Sequence, residues 1–256
     1  PLAGTSTASR ALYMAGKATE LAAVNVRDNL LECMAEYFGV SAGELDLGDS
    51  KVFVLDNPER CMSTKEMAKH CAAQGVHRHS LEIYRAPPSE GLDPETGQGE
   101  VFPDFTYGAH AAKVSVDIDT GEVTVIKSVG AHDVGQSINL RAVEGQIEGS
   151  ALMGQGFALS EELILEKGVL KNGSFSEYLI PTSEDVPEIE SIVLESRSGL
   201  GPFGSKGIGE PVFAPVAASI VNAVADAIGT RIHDLPLTPE KVLAAVNAKQ
   251  TQEAAE

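Results

Sequence analysis

Leu12, Ala15, Ala18, Ala22, Val26, Leu30 and Met34 recur near the 3.6-residue period of a helix. The spacing predicts one long helix from about Ser9 to Tyr37, which Gly39 is suited to end. Lys51–Leu55 reads as a short strand. Ser63 stands three residues before Glu66, the spacing of a capping box, so a short helix should run on to about Gln74. Residues 79–85 look extended. Residues 86–104 carry Pro87, Pro88, Pro94 and Pro103 and show no period, which predicts a long surface loop.

The clearest strand signal lies further along. Val114, Val116 and Ile118 alternate with polar residues, Asp119-Thr120-Gly121 turns the chain, and Val123 and Val125 alternate again, as in a hairpin. A helix is predicted over 140–158, a second hairpin around Lys167-Gly168, and a strand over 190–195. Pro211 suits the first turn of a helix ending near Gly229, and Pro239 the first position of a last helix after Thr238. Residues 247–256 are polar and read as a disordered tail behind a folded region, 1–246. Long helices with mixed strands predict an α+β fold.

Composition narrows the chemistry. Nineteen Lys and Arg stand against 37 Asp and Glu, a formal charge of −18, and such a field disfavours nucleic acid. No apolar run reaches the ~18 residues of a membrane helix, and no signal-peptide pattern is visible. The three cysteines make no disulfide framework and suit a reducing, cytoplasmic setting. The start at Pro1, without Met, suggests a fragment or a processed subunit.

Three segments could carry chemistry. Between Gly201 and Pro211, four glycines stand within nine residues and lead to Glu210, so backbone can approach a ligand closely beside a carboxylate. A tight turn with a capping Glu is the plainer alternative. The stretch is no P-loop, because Ser205 precedes Lys206. The helix over 140–158 carries Gly145, Gly149, Gly154 and Gly156, each costing about 1 kcal/mol relative to Ala, which suggests that something bulky packs there. Gln146, flanked by Ala142, Gly149 and Ser150, could reach a flat polar ligand from that face or simply point to water. Ser6-Thr7-Ala8-Ser9-Arg10 places hydroxyls and a cation where a helix begins, suited to an anion or to ordinary capping. His77 and His79 with Cys71 lack a fourth metal ligand, and the adjacent Glu161 and Glu162 would face opposite ways in a strand.

In this order and spacing the segments resemble the molybdenum hydroxylases, the xanthine dehydrogenase/aldehyde oxidase family. The strings FTYGAHAAKVSVDIDTGEVTV (105–125), DVGQSINLRAVEGQIEGSALMGQGFALSEEL (133–163), GSKGIGEP (204–211) and TPEKV (238–242) carry the resemblance. They match the second half of the large subunit's molybdopterin-binding region. The resemblance implies that Glu210 is the active-site glutamate and Gln146 a pterin contact. It implies that Ala8, Ser9 and Ala11 hold the pterin and its phosphates, with Lys206 and Gly207 also at the cofactor. No residue of this chain is expected to ligate the metal. The implied reaction is oxidative hydroxylation of an N-heterocycle or aldehyde with water as oxygen source. The implied cofactor is molybdenum-molybdopterin, in plain or cytosine-dinucleotide form. Iron–sulfur and FAD subunits, and the first half of the molybdenum region, would come from elsewhere, so the chain alone should be inactive. The alternative is a cofactor-free assembly or binding subunit that keeps the fold.

Overall fold

The computed structural model describes residues 4–254. The described chain divides into two compact units, Gly4 with residues 14–88, and residues 5–13 with 89–254.

In the first unit, α1 (Lys17–Phe38) ends at Gly39, whose φ of 66° is the left-handed cap conformation glycine takes without strain. Beyond it come three antiparallel strands, β1 (Leu45–Gly48), β2 (Lys51–Val54) and β3 (Asn57–Ser63), in that order. Ser63 and Glu66 form the expected capping box at the start of α2 (Thr64–Ala73). Leu31 and Met34 of α1 share a core with Leu45, Val52, Val54, Met67 and Cys71. The sequence reading misses β1 and β3; β3, with Asn57, Pro58, Glu59 and Arg60, is exposed over most of its length and has no apolar face to betray it. The long helix also begins later than expected. Ala8 and Ser9 both sit at φ 53°, which no right-handed helix accommodates, and a π-helical turn, Leu12–Gly16, precedes α1. Residues 79–85 form no strand.

The second unit is built on the sheet β4-β5-β8. Strands β4 (Gly108–Val116) and β5 (Val123–Asp133) form the expected hairpin, and the Asp117 carboxylate accepts the backbone N–H groups of Asp119 and Thr120 in its turn. Strand β8 (Glu188–Leu194) pairs with β5 in parallel, which requires a crossover. Helix α3 (Leu140–Leu159) and the small β6 (Leu165–Glu166)/β7 (Val169–Leu170) hairpin lie in that connection. Helix α4 (Val216–Ile228) packs on β4 and α3, burying Val216 and Ile220 with Val125 and Ala158. Helix α5 (Pro239–Glu253) adds Val242 and Val246 to a core with Val224, Ile228 and Leu237.

Two expectations are corrected. Pro211 does not start the penultimate helix: residues 209–215 are a chain of turns, and Pro215, lacking an N–H, delays the helix to Val216. Nor is 247–254 a disordered tail. It continues α5, with Thr251 Oγ1 bonded to the Asn247 carbonyl and Lys249 paired with Glu253 one turn on. Residues 255–256 lie outside the described residues.

Candidate functional site

The glycine turn is anchored from below by a buried ion pair. Lys206 is 4% exposed, and its Nζ donates to Asp133 Oδ2 at 2.8 Å. Asp133 closes β5, and its Oδ1 also accepts the N–H groups of Gly135 and Ser196. Burial alone would raise the Asp133 carboxyl, but the bonds from Lys206, Gly135 and Ser196 outweigh it and hold the carboxyl at about 2. Gly135, at φ 69°, has room for no side chain, because a Cβ would run into the Gly204 carbonyl. The backbone N–H of Lys206 meets the Val134 carbonyl at 2.9 Å.

The turn is therefore fixed against the end of β5, and its next residues reach the N-terminal segment. A Cβ on Gly207 would collide with the Ser9 carbonyl, so only glycine permits this approach. Ser9 Oγ accepts the Glu210 N–H at 2.8 Å and donates to Glu210 Oε2 at 3.0 Å. Residues 201 apart in the chain thus clasp each other twice. A third strand of chain joins them: Thr106 Oγ1 donates to the Gly207 carbonyl at 3.0 Å, and Asp104 Oδ2 accepts the Leu200 N–H.

Together these residues border an open hollow of about 480 Å³. Ala8, Ser9, Arg10, Gly207 and Glu210 line it, with Phe102 and Phe105 from the preceding loop. The two phenylalanine rings meet edge to face at 6.4 Å. Among the described residues Arg10 makes no ion pair, so its charge is available to an anion.

Of the residues singled out in the sequence, Ala8, Ser9, Gly207 and Glu210 come together here. Ala11 and Gln146 are exposed but lie outside the hollow's lining. The Lys206 side chain turns away into its pair with Asp133, because a buried ammonium requires a counter-charge, so it is not placed to hold a ligand in the hollow. The approach of Thr106, Phe102 and Phe105 is not legible in the sequence, since their loop has no period; only the FTYG string touches it.

Helix α3 answers half of its glycine question internally. A Cβ on Gly154 would strike Val216, and one on Gly156 would strike Pro181 and Glu161. At Gly145 and Gly149, either side of Gln146, an added Cβ would meet nothing within 4 Å among the described residues. That stretch of α3 is open, with Gln146 exposed between the two glycines and the Glu148 carboxylate exposed beside it, and it leaves space for a planar, hydrogen-bonding group. The remaining candidates are structural. Tyr178 donates to Glu161 Oε2 at 2.7 Å, and Cys71 is buried while His77 and His79 are exposed. Among the described residues no cluster of three His, Cys, Asp or Glu could hold a metal ion. No helix among them is long and apolar enough to cross a membrane.

Comparison with known proteins gives this geometry its context. Residues 1–187 match the family described as the molybdopterin cofactor-binding domain. The chain is 32% identical over 239 residues to the putative xanthine dehydrogenase molybdenum-binding subunit of Escherichia coli K12, covering 92% of this chain and 30% of that one. It is 33% identical over 256 residues to the nicotine 6-hydroxylase large subunit of Paenarthrobacter nicotinovorans, covering 95% and 31%. The aldehyde oxidoreductase structure from Desulfovibrio desulfuricans superposes with a TM-score of 0.72 at 30% identity, over 96% of this chain and 24% of that one. The quinoline 2-oxidoreductase of Pseudomonas putida 86 does so with 0.73 at 28%, over 88% and 28%. The chain spans roughly a third of the length of such relatives. By the family match, and by the α+β fold that carries it, the chain belongs to the molybdopterin cofactor-binding domains of the molybdenum hydroxylases.

Proposed function

We propose that this chain is the base-supplying, cofactor-holding part of a molybdenum hydroxylase acting on an N-heterocycle or an aldehyde, with water as the oxygen source. The observation that carries the reading is the double hydrogen bond between Ser9 and Glu210, which joins the N-terminal segment to the glycine turn at one hollow. Glu210 is the base. Ser9 holds Oε2 and the backbone N–H of Glu210, which borders the hollow, so that its carboxylate can take a proton from the reacting group. When bound, the molybdenum–pterin cofactor, plain or as the cytosine dinucleotide, accepts the electron pair that the substrate loses. Ala8, Ser9, Ala11 and Gly207 would border it on the N-terminal side, with Arg10 as counter-charge to phosphate, and Gln146 would meet the pterin from the open stretch of α3. Lys206 serves the site by fixing the turn through Asp133.

The rest of the hydroxylase belongs to the same reading: the first half of the molybdenum region, in the same or a separate chain, and iron–sulfur and FAD subunits that carry electrons away. Its setting is cytoplasmic, a reading supported by Cys33, Cys61 and Cys71, all unpaired.

The test is Glu210→Gln in the assembled enzyme. The change is nearly isosteric and leaves the turn intact while removing the base. Reduction of the enzyme by substrate should slow at least ~10²-fold, with molybdenum content and substrate binding retained. A rate within a few-fold of the parent would reduce Glu210 to a capping residue. An assembled parent protein without molybdenum would favour a binding or assembly subunit.

A further inference from the structure

Unit one holds a pair of thiols that the proposed reaction does not use. Cys71, on α2, is fully buried beside Met34 and Met67. Cys33, on α1, is partly exposed and packs against the same core. The two helices pack with Cα atoms within 8 Å of each other. The Cys71 sulfur lies 3.9 Å from the Leu30 carbonyl oxygen. A helical carbonyl points along the axis toward residues three and four positions on, so the Cys71 sulfur sits beside the turn that carries Cys33. Burial, and then interaction with the Cys33 thiol itself, push the Cys71 thiol up to about 12. The third cysteine, Cys61, is exposed on β3 opposite Phe53, in another part of the same unit.

We propose that Cys33 and Cys71 are a peroxide-oxidisable pair that closes to a disulfide joining α1 to α2. Cys33 is the member that meets the oxidant, because Cys71 has no solvent access. Its thiolate attacks one oxygen of hydrogen peroxide, the O–O bond breaks, and water leaves once the released hydroxide is protonated. Cys33 is then a sulfenic acid. The Cys71 sulfur attacks the Cys33 sulfur and forms the S–S bond. The sulfenic oxygen departs as a second water, carrying the proton that Cys71 gives up. Two thiols are oxidised by two electrons, and the two peroxide oxygens are reduced to water. Cys71 is protonated at neutral pH and attacks slowly, so the sulfenic acid on Cys33 persists long enough to be trapped.

The experiment exposes the whole protein to a small excess of hydrogen peroxide at neutral pH, alkylates the remaining thiols and maps the peptides without reduction. The expected result is a Cys33–Cys71 cross-linked peptide, two hydrogens lighter than its parts, and a sulfenic acid adduct on Cys33 when dimedone is present from the start. Cys61→Ser should leave the cross-link unchanged. Cys33→Ser alters only the partly exposed member and so keeps the core. In that variant Cys71 should stay reduced and fully alkylatable after unfolding. Cys33 and Cys71 both recovered alkylated from the oxidised parent would overturn the proposal. So would a cross-link from either of them to Cys61, or oxidised Cys71 in Cys33→Ser.

Discussion

Ser9 and Glu210 hold each other twice: the serine hydroxyl takes the glutamate's N–H at 2.8 Å and gives its own proton to the carboxylate at 3.0 Å. The arrangement makes Ser9 an orienting group for a carboxylate at the rim of the hollow, a role distinct from holding a cofactor phosphate. The two roles separate in Ser9→Ala. Alanine tolerates the local backbone as its neighbour Ala8 does, at the same φ of 53°. A hydrogen bond to a charged group contributes about 1.5–3 kcal/mol, so loss of orientation should lower kcat at least ~10-fold with KM and molybdenum content unchanged. A fall in molybdenum content at unchanged kcat per bound metal would assign Ser9 to the cofactor instead.

The Asp133–Lys206 pair gives the glycine turn an acid limit. The folded-state carboxyl at about 2 lies below the ordinary value near 4 of an unfolded aspartate. A depressed carboxyl stabilises the fold fully above that ordinary value and loses the contribution as pH falls through the folded one. The contribution is about 2 kcal/mol. In urea unfolding, the parent midpoint should therefore drop between pH 4 and pH 2, and Asp133→Asn should show much less of that drop. At pH 7 the Asn variant should be less stable by about 3–5 kcal/mol, since it strands a buried ammonium. A variant that matches the parent at pH 7 would mean that Lys206 finds another partner.

The divide between what can be read from the sequence and what cannot tracks the range of the physics. Local signals hold: the Ser63–Glu66 box, the turn after Val116 and Pro239 at the start of α5 all depend on residues a few positions apart. The parallel pairing of β5 with β8 depends on a crossover of more than 50 residues and leaves no local trace. Motifs single out Ala8, Ser9, Gly207 and Glu210, yet nothing in their spacing tells that Ser9 bonds Glu210 rather than a ligand. The partner of Lys206 is equally hidden. A lysine inside a glycine-rich turn looks solvated until Asp133 is brought beneath it by the end of β5.

His132 offers a second acid response. Its side chain is fully buried in β5, and neither ring nitrogen has a hydrogen-bond partner among the described residues. His110 lies beside it, ring centroids 6.5 Å apart, with Nε2 on Ser128 Oγ. Burial lowers both histidines below their ordinary value near 6.5, and at His110 the nearby His132 lowers it further. A lowered folded value means that the unfolded chain takes up protons first. Stability is complete above pH 6.5 and declines as the solution is made more acid. His132→Leu removes one buried polar ring without leaving a partner unsatisfied. It should hold stability at pH 7 within ~1 kcal/mol and flatten the decline between pH 7 and pH 5. Unfolding midpoints that keep the parent's slope would place that titration elsewhere.

The open stretch of α3 yields a prediction with opposite signs in two states of the protein. Gly145 and Gly149 cost helix stability, and none of the described residues occupies the space a Cβ would need. In the chain by itself, Gly145→Ala and Gly149→Ala should each raise stability by up to ~1 kcal/mol. If a pterin lies over Gln146 in the assembled enzyme, the same methyl groups intrude on its plane. Molybdenum content should then fall for the alanine variants, and for Gln146→Leu, which removes the amide without touching the core, since the side chain is exposed. Metal analysis of the purified complex, set beside thermal unfolding of the chain, reads both signs. Stabilised chains with undiminished molybdenum would leave the two glycines without a ligand and Gln146 as an ordinary surface residue.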